Sequence, residues 1–548
     1  MLQAAIKEVR LNVRKLKHEP IVAVFIGLVT ILTGYFVLWP VIKVISEPSL
    51  SQYSELFLNA RWSRAALNSL MMMLLSTISC TLVAFVFAYA LARLDIPFKG
   101  LFRFITLLPI VSPPFIVALS YILLFGRQGI ISKHVLGITI DVYGWHGLWL
   151  VQTINFFPFA FVVIYGVLCS NSTNLEYAAY NLGATRWQVF KDVFLPLCRP
   201  GIAGGALIAA MNILADFGNP MIIGGSFSLL PTEAYLQMSG WFNLPAAAML
   251  ATTLLVPAFT LFWLNKKWVG KRSYVVVTGK ESSLAPYPLP KWVKWGIFSF
   301  CMLVTITVLA VYGVLFYGAF AKTWGYDWSL TLDNLKYVFN KKQEVINSLK
   351  FSLLAAVGAS TLAVLLAYIV QRKPMGFNKV IDFLAILPGA VPGIFLSLGF
   401  AMSFNSGPLT LTGTSAIIVL ALLFWNLPTC YSANSAALQQ IGHSLEEAAT
   451  NLGSNSFTTF RKILLPLLKG PFLSSMALAF LRSMTCLSVV IFIYAASTSV
   501  GTISILGLVS NGEWGSASAF TIVLITIAFS VLGIANLILR RQGKSLEL

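Results

Sequence analysis

The chain has 548 residues, 57% of them hydrophobic and 10% charged, and its mean hydropathy is +0.81. A water-soluble globular chain carries roughly 25% charged residues, so this composition excludes water as the main solvent. Lys and Arg number 38 against 19 Asp and Glu, but cytoplasmic loops of membrane proteins collect cations by the positive-inside rule, so the excess does not call for nucleic acid. Six scattered Cys without a CxxC pair, and His18, His134, His146 and His443 without HExxH or paired spacing, give no disulfide framework or metal site.

In chain order, apolar runs predict membrane spans near 21–45, 66–92, 102–125, 145–169, 196–215 and 245–265, then near 293–320, 347–370, 377–404, 414–436, 467–496 and 516–539. The first run is too long for a cleavable signal peptide and lacks a small-residue cleavage site, so it is expected to stay as a span. Stretches such as Leu353 to Val370 do not alternate apolar with polar residues, which excludes a β-barrel. With the N-terminus inside, Lys7, Arg10, Arg14, Lys15 and Lys17 fall in the cytoplasm. So do Arg93, Lys99 and Arg103, the central Lys266, Lys267, Lys271, Arg272 and Lys280, and the tail with Arg540, Arg541 and Lys544. Segments 216–243 and 497–513, placed outside, hold no Lys or Arg. Both termini are therefore expected to be cytoplasmic.

The Pro- and Ser-containing stretch 266–292 reads as an exposed linker. The expected organisation is an N-terminal segment, first span and outer loop at 1–63, a first transmembrane unit at 64–265, the linker, an extra span and outer loop at 293–344, a second transmembrane unit at 345–539 and a basic tail at 540–548.

Two segments repeat without a gap. Residues 176–202, EYAAYNLGATRWQVFKDVFLPLCRPGI, align with 446–472, EEAATNLGSNSFTTFRKILLPLLKGPF, at an offset of 270. Upstream, NSL at 68–70 recurs at 347–349 and LPIVSPP at 108–114 is echoed at 387–393, both at an offset of 279. Both long copies follow the fourth span of their half, so the halves are parallel repeats of one pore-forming unit. In each copy Gly183 or Gly453 permits a sharp bend between two short helices. Pro196 or Pro466 is expected to start the next span, where its missing N–H does no harm. The shape expected is an L-shaped cytoplasmic protrusion. A single copy would also suit an interfacial amphipathic helix; two aligned copies disfavour that.

These segments resemble the EAA loop of binding-protein-dependent ABC importer permeases, whose pattern is Glu-Ala-Ala, a Gly after three further residues, then Leu-Pro. The second copy matches with Glu447, Ala448, Ala449 and Gly453; the first has Ala178, Ala179 and Gly183, with Tyr177 where Glu belongs and Glu176 one position early. The resemblance implies an all-α membrane protein of the type I importer permease fold, about twelve spans in two parallel repeats of six. It implies that the loops, with Glu176 and Glu446 beside the residues just named, are coupling helices docked on two copies of an ABC ATPase subunit, and that the two contacts differ. It further implies a soluble substrate-binding protein outside and a bacterial inner (plasma) membrane.

The motor is absent from this sequence. No GxxxxGK[ST] loop occurs: Gly279-Lys280 is followed by Glu281 and has Tyr274 where the first Gly is needed. ATP and Mg thus belong to the partner ATPase, and the chain itself is not expected to be an enzyme or to carry a cofactor.

Polar residues in spans are candidates for the pathway or for binding-protein contacts. Asp216 and Asn219 lie near the outer end of span five, where the alternative is a cap on a broken helix. Arg482 stands at the offset-270 counterpart of Asn212, with pairing to a neighbouring helix as its other role. Asn155 and Asn426 precede Pro158 and Pro428, which free backbone carbonyls that an Asn could satisfy. An ion-coupled secondary transporter would need coupling carboxylates near the midplane, and the acids cluster in loops instead. A membrane enzyme would need a cluster of acid, base and nucleophile that no span provides. Fused two-unit permeases carry ferric iron, thiamine, aminoethylphosphonate or phosphorylated sugars, and LADFGNP at 214–220 with SMTCLSVVIF at 483–492 look most like the iron(III) type.

Overall fold

The computed structural model describes residues 20–113, 115–171, 173–268, 290–373 and 378–540. The basic N-terminal segment, nearly all of the linker and the tail beyond Arg540 lie outside the described residues. The helices that matter below are, in chain order, α1 (Pro20–Ser46), α2 (Ala60–Arg93), α3 (Lys99–Val111), α4 (Ile116–Phe125), α5 (Trp145–Ser170), α6 (Asn174–Asn181), α7 (Leu195–Leu214), α8 (Gly218–Ile223), α9 (Leu230–Ser239), α10 (Leu244–Trp268) and α11 (Lys291–Phe320). They continue with α12 (Lys342–Arg372), α13 (Asn378–Ile386), α14 (Gly393–Ser403), α15 (Ser415–Gln440), α16 (Ser444–Asn451), α17 (Lys469–Met484), α18 (Gly501–Ser510) and α19 (Trp514–Arg540). A short antiparallel hairpin, β1 (Ala321–Thr323) and β2 (Asp327–Leu330), follows α11.

Among the described residues ten helices are long and apolar enough to cross a membrane, or up to twelve if each of two bent pairs counts as one span. The chain is therefore a multi-pass helical membrane protein, as its composition requires. Three expected spans are not straight. The run at 102–125 is divided between α3 and α4; the run at 377–404 is α13 and α14, bent by 111°; and the run at 467–496 ends its helix at Met484 and continues in turns. Hydrophobicity alone cannot show such breaks, because Ser112, Pro113, Pro392 and Thr485 are averaged away within otherwise apolar runs.

The chain forms two compact units. The first is residues 51–340 with 505–522; the second is the described residues up to Leu50, 341–504 and those from Val523 on. The linker therefore divides the sequence but not the packing. Helix α1, expected to precede the first unit, packs on α13 and α14 of the second, while α11 packs on α2, α3 and α4 of the first. The reason is visible at the α1 contact, where Gly399 lets α14 approach Pro40 so closely that an added Cβ would lie 2.9 Å from its ring. Phe36 of α1 stacks on Phe424 at 5.3 Å.

In the first unit α2, α5 and α7 pack against one another around Cys80, Phe87, Phe157, Phe161 and Cys198. In the second, α12, α15 and α17 do the same. Lipid gives helices no hydrophobic reason to associate, so close packing of small residues and interhelical hydrogen bonds must do it. Ala355, Ala356, Ala359 and Ala363 are buried along α12, Ser360 Oγ donates to Phe472 O at 3.0 Å, and Asn434 Nδ2 donates to Ser475 Oγ at 3.0 Å.

The NSL repeat has a structural meaning. Asn68 Nδ2 donates to Ser228 O and Ser69 Oγ accepts from Leu230 N at 2.8 Å, pinning the start of α9. In the other unit Asn347 Nδ2 donates to Ser497 O and Ser499 O, and Ser348 Oγ accepts from Gly501 N at 2.8 Å, pinning the start of α18.

Candidate functional site

Each repeated loop begins with a two-turn helix, α6 or α16. At its end Leu182 N reaches Ala178 O, Gly183 N reaches Tyr180 O and Ala184 N reaches Ala179 O; at 452–454 the same three bonds recur to Ala448, Thr450 and Ala449. These bonds close the helix through a left-handed residue, and Gly183 (φ +86°) and Gly453 (φ +83°) supply it. A second short helix starts at once, capped by Thr185, whose side chain accepts from Gln188 N while the Gln188 side chain accepts from Thr185 N. Asn455 caps the other copy, accepting from Thr458 N at 2.8 Å. The bend expected at the glycines is thus present in both copies.

Pro196 and Pro466 stand in the first turn of α-helical segments beginning at Leu195 and Leu465, as expected. These segments do not open a new helix, since Val189–Phe194 and Phe460–Leu464 are π-helical turns running directly into them. A π turn shifts the hydrogen-bond partners by one residue, so a proline N–H can be missing without ending the helix. Residues 186–214 continue as one span, whereas the second copy bends by 68° where Leu467 meets Lys469.

The outward faces of the loops match. Leu182 and Leu452 are 89% and 88% exposed, and Trp187 and Phe457, again 270 positions apart, are 68% and 66% exposed. Leu175 and Leu445 are exposed as well, as are Ala178 and Ala448; Ala179 is half-buried and Ala449 buried. Exposed apolar side chains thus recur in the same places on the two loops and on the first turn of the helix that follows each. Glu447 is exposed beside them.

Glu176 and Glu446 point elsewhere. Glu176 Oε1 lies 3.3 Å from Arg93 Nη2, and Glu446 Oε1 lies 2.9 Å from Arg372 Nε. Burial raises the Glu176 pKa above the ordinary carboxyl value, and the neighbouring Arg93 guanidinium only partly offsets it. From sequence Arg93 reads only as a loop cation, and Arg372 is not singled out. The signal that finds them is the offset of 279, which places Tyr89-x-x-x-Arg93 on Tyr368-x-x-x-Arg372.

The pathway candidates are placed as follows. Asp216 is buried and caps α8: its carboxylate accepts from Gln152 Nε2 and Asn219 Nδ2, each at 3.0 Å, and from Asn219 N, while Ser76 Oγ donates to Gln152. Asn219 is buried with it. Arg482 donates to Thr429 Oγ1 and lies over the Trp425 ring at 4.4 Å, so it pairs with α15. Asn426 donates to Leu422 O and Ser483 Oγ, each at 2.9 Å, and not to the Phe424 carbonyl that Pro428 leaves free. Asn155 is buried on α5. Among the described residues, no group of three or more His, Cys, Asp or Glu could hold a metal ion.

Two compact helical units with spans long and apolar enough to cross a membrane, each with the same bent loop and exposed apolar side chains, define a polytopic membrane protein with duplicated halves. Residues 81–272 and 359–544 match the family described as binding-protein-dependent transport system inner membrane component, and the chain belongs to that family. It is 34% identical over 459 residues, 81% of this chain and 67% of the relative, to the ferric transport system permease protein FbpB of Actinobacillus pleuropneumoniae. It is also 34% identical over 449 residues, 80% of this chain and 71% of the relative, to the putative ferric transport system permease protein FbpB 1 of Haemophilus influenzae. The molybdenum transport system permease protein ModB of Escherichia coli K12 is 34% identical over 156 residues, 27% of this chain and 68% of that protein. The chain is thus the transmembrane component of an ATP-driven importer and not its ATPase, and its family works with an ATPase and a binding protein.

Proposed function

We propose that this chain forms the import channel for ferric iron delivered by a soluble binding protein, and that residues 174–194 and 444–464 dock two copies of the ATPase subunit. The observation that carries the docking is the repeated apolar face of Leu182 with Trp187 and of Leu452 with Phe457. Around it, Ala178, Ala179, Gly183, Glu447, Ala448, Ala449 and Gly453 complete the contact, the small residues allowing close approach. Both termini and both loops face the cytoplasm, as the distribution of Lys and Arg supports. Iron is supported by the names of the relatives just given, two of which match over four-fifths of this chain.

The chemistry asked of the chain is mechanical. ATP binding draws the two ATPase subunits together, the loops follow, and the units rock to alternate access to a central path. The test is to purify the chain with its ATPase and to repeat this with Leu182→Asp and Leu452→Asp. Each single variant is expected to weaken retention of the ATPase and the pair to abolish it. Full retention by the pair would sink the docking surface. Aminoethylphosphonate, sugar phosphate and thiamine, each on its own binding protein, are the competing cargoes in the uptake assay.

A further inference from the structure

Among the contacts of the two loops, one set is internal to each unit and repeats in both. Arg93 ends α2 and Arg372 ends α12. Each guanidinium, almost fully buried, meets the first-turn glutamate of its loop, Glu176 or Glu446. Each also ties the end of the preceding span: Arg93 Nη2 donates to Asn171 O at 3.1 Å, and Arg372 Nη2 donates to Leu438 O at 2.8 Å and Ile441 O at 2.5 Å. A cation there complements the exposed carbonyls of a helix C-terminus. One turn earlier, the Tyr89 ring meets Phe190 at 6.5 Å and the Tyr368 ring meets Phe460 at 4.7 Å, so the far arm of each loop rests on the same helix as the near arm.

We propose that Tyr89 with Arg93, and Tyr368 with Arg372, are positioning residues that grip each docking loop at both arms and make it move as one body with α2 or α12. The proposal rests on the docking reading above and gives Glu176 and Glu446 a place within the machine instead of on the ATPase. Without the grip, a loop pulled by the ATPase would bend at its left-handed glycine, and the pull would pass along the far arm without carrying α2 or α12 with it. Two independent copies of the arrangement, at offsets of 279 for the arginines and 270 for the glutamates, argue that it is built for the loop and not incidental to one surface.

The grip has a signature that ordinary structural support lacks. Removing only the arginine leaves a partly buried carboxylate without its counter-charge, whereas removing both charges does not. Hydrogen exchange of the full chain in lipid nanodiscs, without ATPase, reads the loop directly. Arg93→Gln is expected to speed exchange across 174–182 by about tenfold, and Arg93→Gln with Glu176→Gln to return it to within about threefold of the parent. The pair Arg372→Gln and Arg372→Gln with Glu446→Gln should behave likewise at 444–452. Arg93→Lys, which keeps the charge but cannot hold carboxylate and Asn171 O together, is read the same way if the Gln variant does not fold. Exchange unchanged in the arginine variants, or a double variant as loose as the single, overturns the grip.

In the complex reconstituted with ATPase and iron-loaded binding protein, Arg93→Gln with Arg372→Gln should retain the ATPase but transport about tenfold less iron per ATP hydrolysed. Parent-like transport per ATP contradicts the proposal. If the unaltered chain holds no ATPase, the docking reading fails, and the exchange experiment still decides the grip.

Discussion

At Gly183 and Gly453 the space around the α-carbon is open, with nothing within 4 Å of an added Cβ, so the whole cost of a side chain there is its positive φ. A β-branched residue in that region costs about 1–3 kcal/mol. Gly183→Val is expected to lower resistance to unfolding by that amount and to straighten the bend, measurable as faster hydrogen exchange at 182–186. Gly399 is the opposite case, since its φ is ordinary and its neighbour is close. Gly399→Ala overpacks the seam between α1 and α14 against Pro40, and overpacking costs typically about 1–3 kcal/mol; denaturant unfolding in detergent reads it. The two glycines of the loops were legible in the sequence because their motif repeats. The seam at Gly399 was not, since a contact between residues 359 positions apart leaves no local pattern.

Paired elements carry the second kind of evidence. The serines of the NSL repeat satisfy buried backbone N–H groups of Leu230 and Gly501, and an orphaned buried donor costs about 1–3 kcal/mol. Ser69→Ala and Ser348→Ala are therefore expected to loosen the starts of α9 and α18, seen as loss of exchange protection at 230 and 501 with the rest of the chain unchanged. In the β1–β2 hairpin, hydrogen bonds from the Ser329 side chain and backbone, with Lys322 beside them, hold Asp327 down to about 2. A carboxyl pKa lowered on folding adds stability that is complete above its unfolded value and lost as pH falls through the folded one. The hairpin should thus stay ordered at pH 4 and lose order as the pH falls toward 2, followed by the fluorescence of Trp324 and Trp328. The repeated NSL was visible in sequence; what it binds was not, because its partners lie 150 or more positions away. The ion pair of Arg93 was hidden for another reason: a cation at the end of a span is what the positive-inside rule already explains, and Arg372 stands out only once it is aligned with Arg93 at the offset of 279.

For the whole molecule, apolar runs and the duplicated loop carried the reading from composition to a two-unit membrane protein, the resemblance of the loop to the EAA pattern made it a permease, and the family match supports it. Periodicity could not place α1 with the second unit or α11 with the first, because a span that is apolar all round does not indicate which face it buries or against what. The bent pairs were missed on similar grounds. The proposed coupling of ATP hydrolysis on the partner ATPase to movement of ferric iron belongs at this scale because it needs both units, both loops and both partners. The direct measurement is iron uptake and ATP hydrolysis together, in liposomes holding the chain with its ATPase, with the binding protein added either iron-loaded or empty. Stimulation of both by the iron-loaded protein, and loss of both with Leu182→Asp and Leu452→Asp, is the expected result; uptake that needs no ATP and follows an imposed ion gradient would contradict the account.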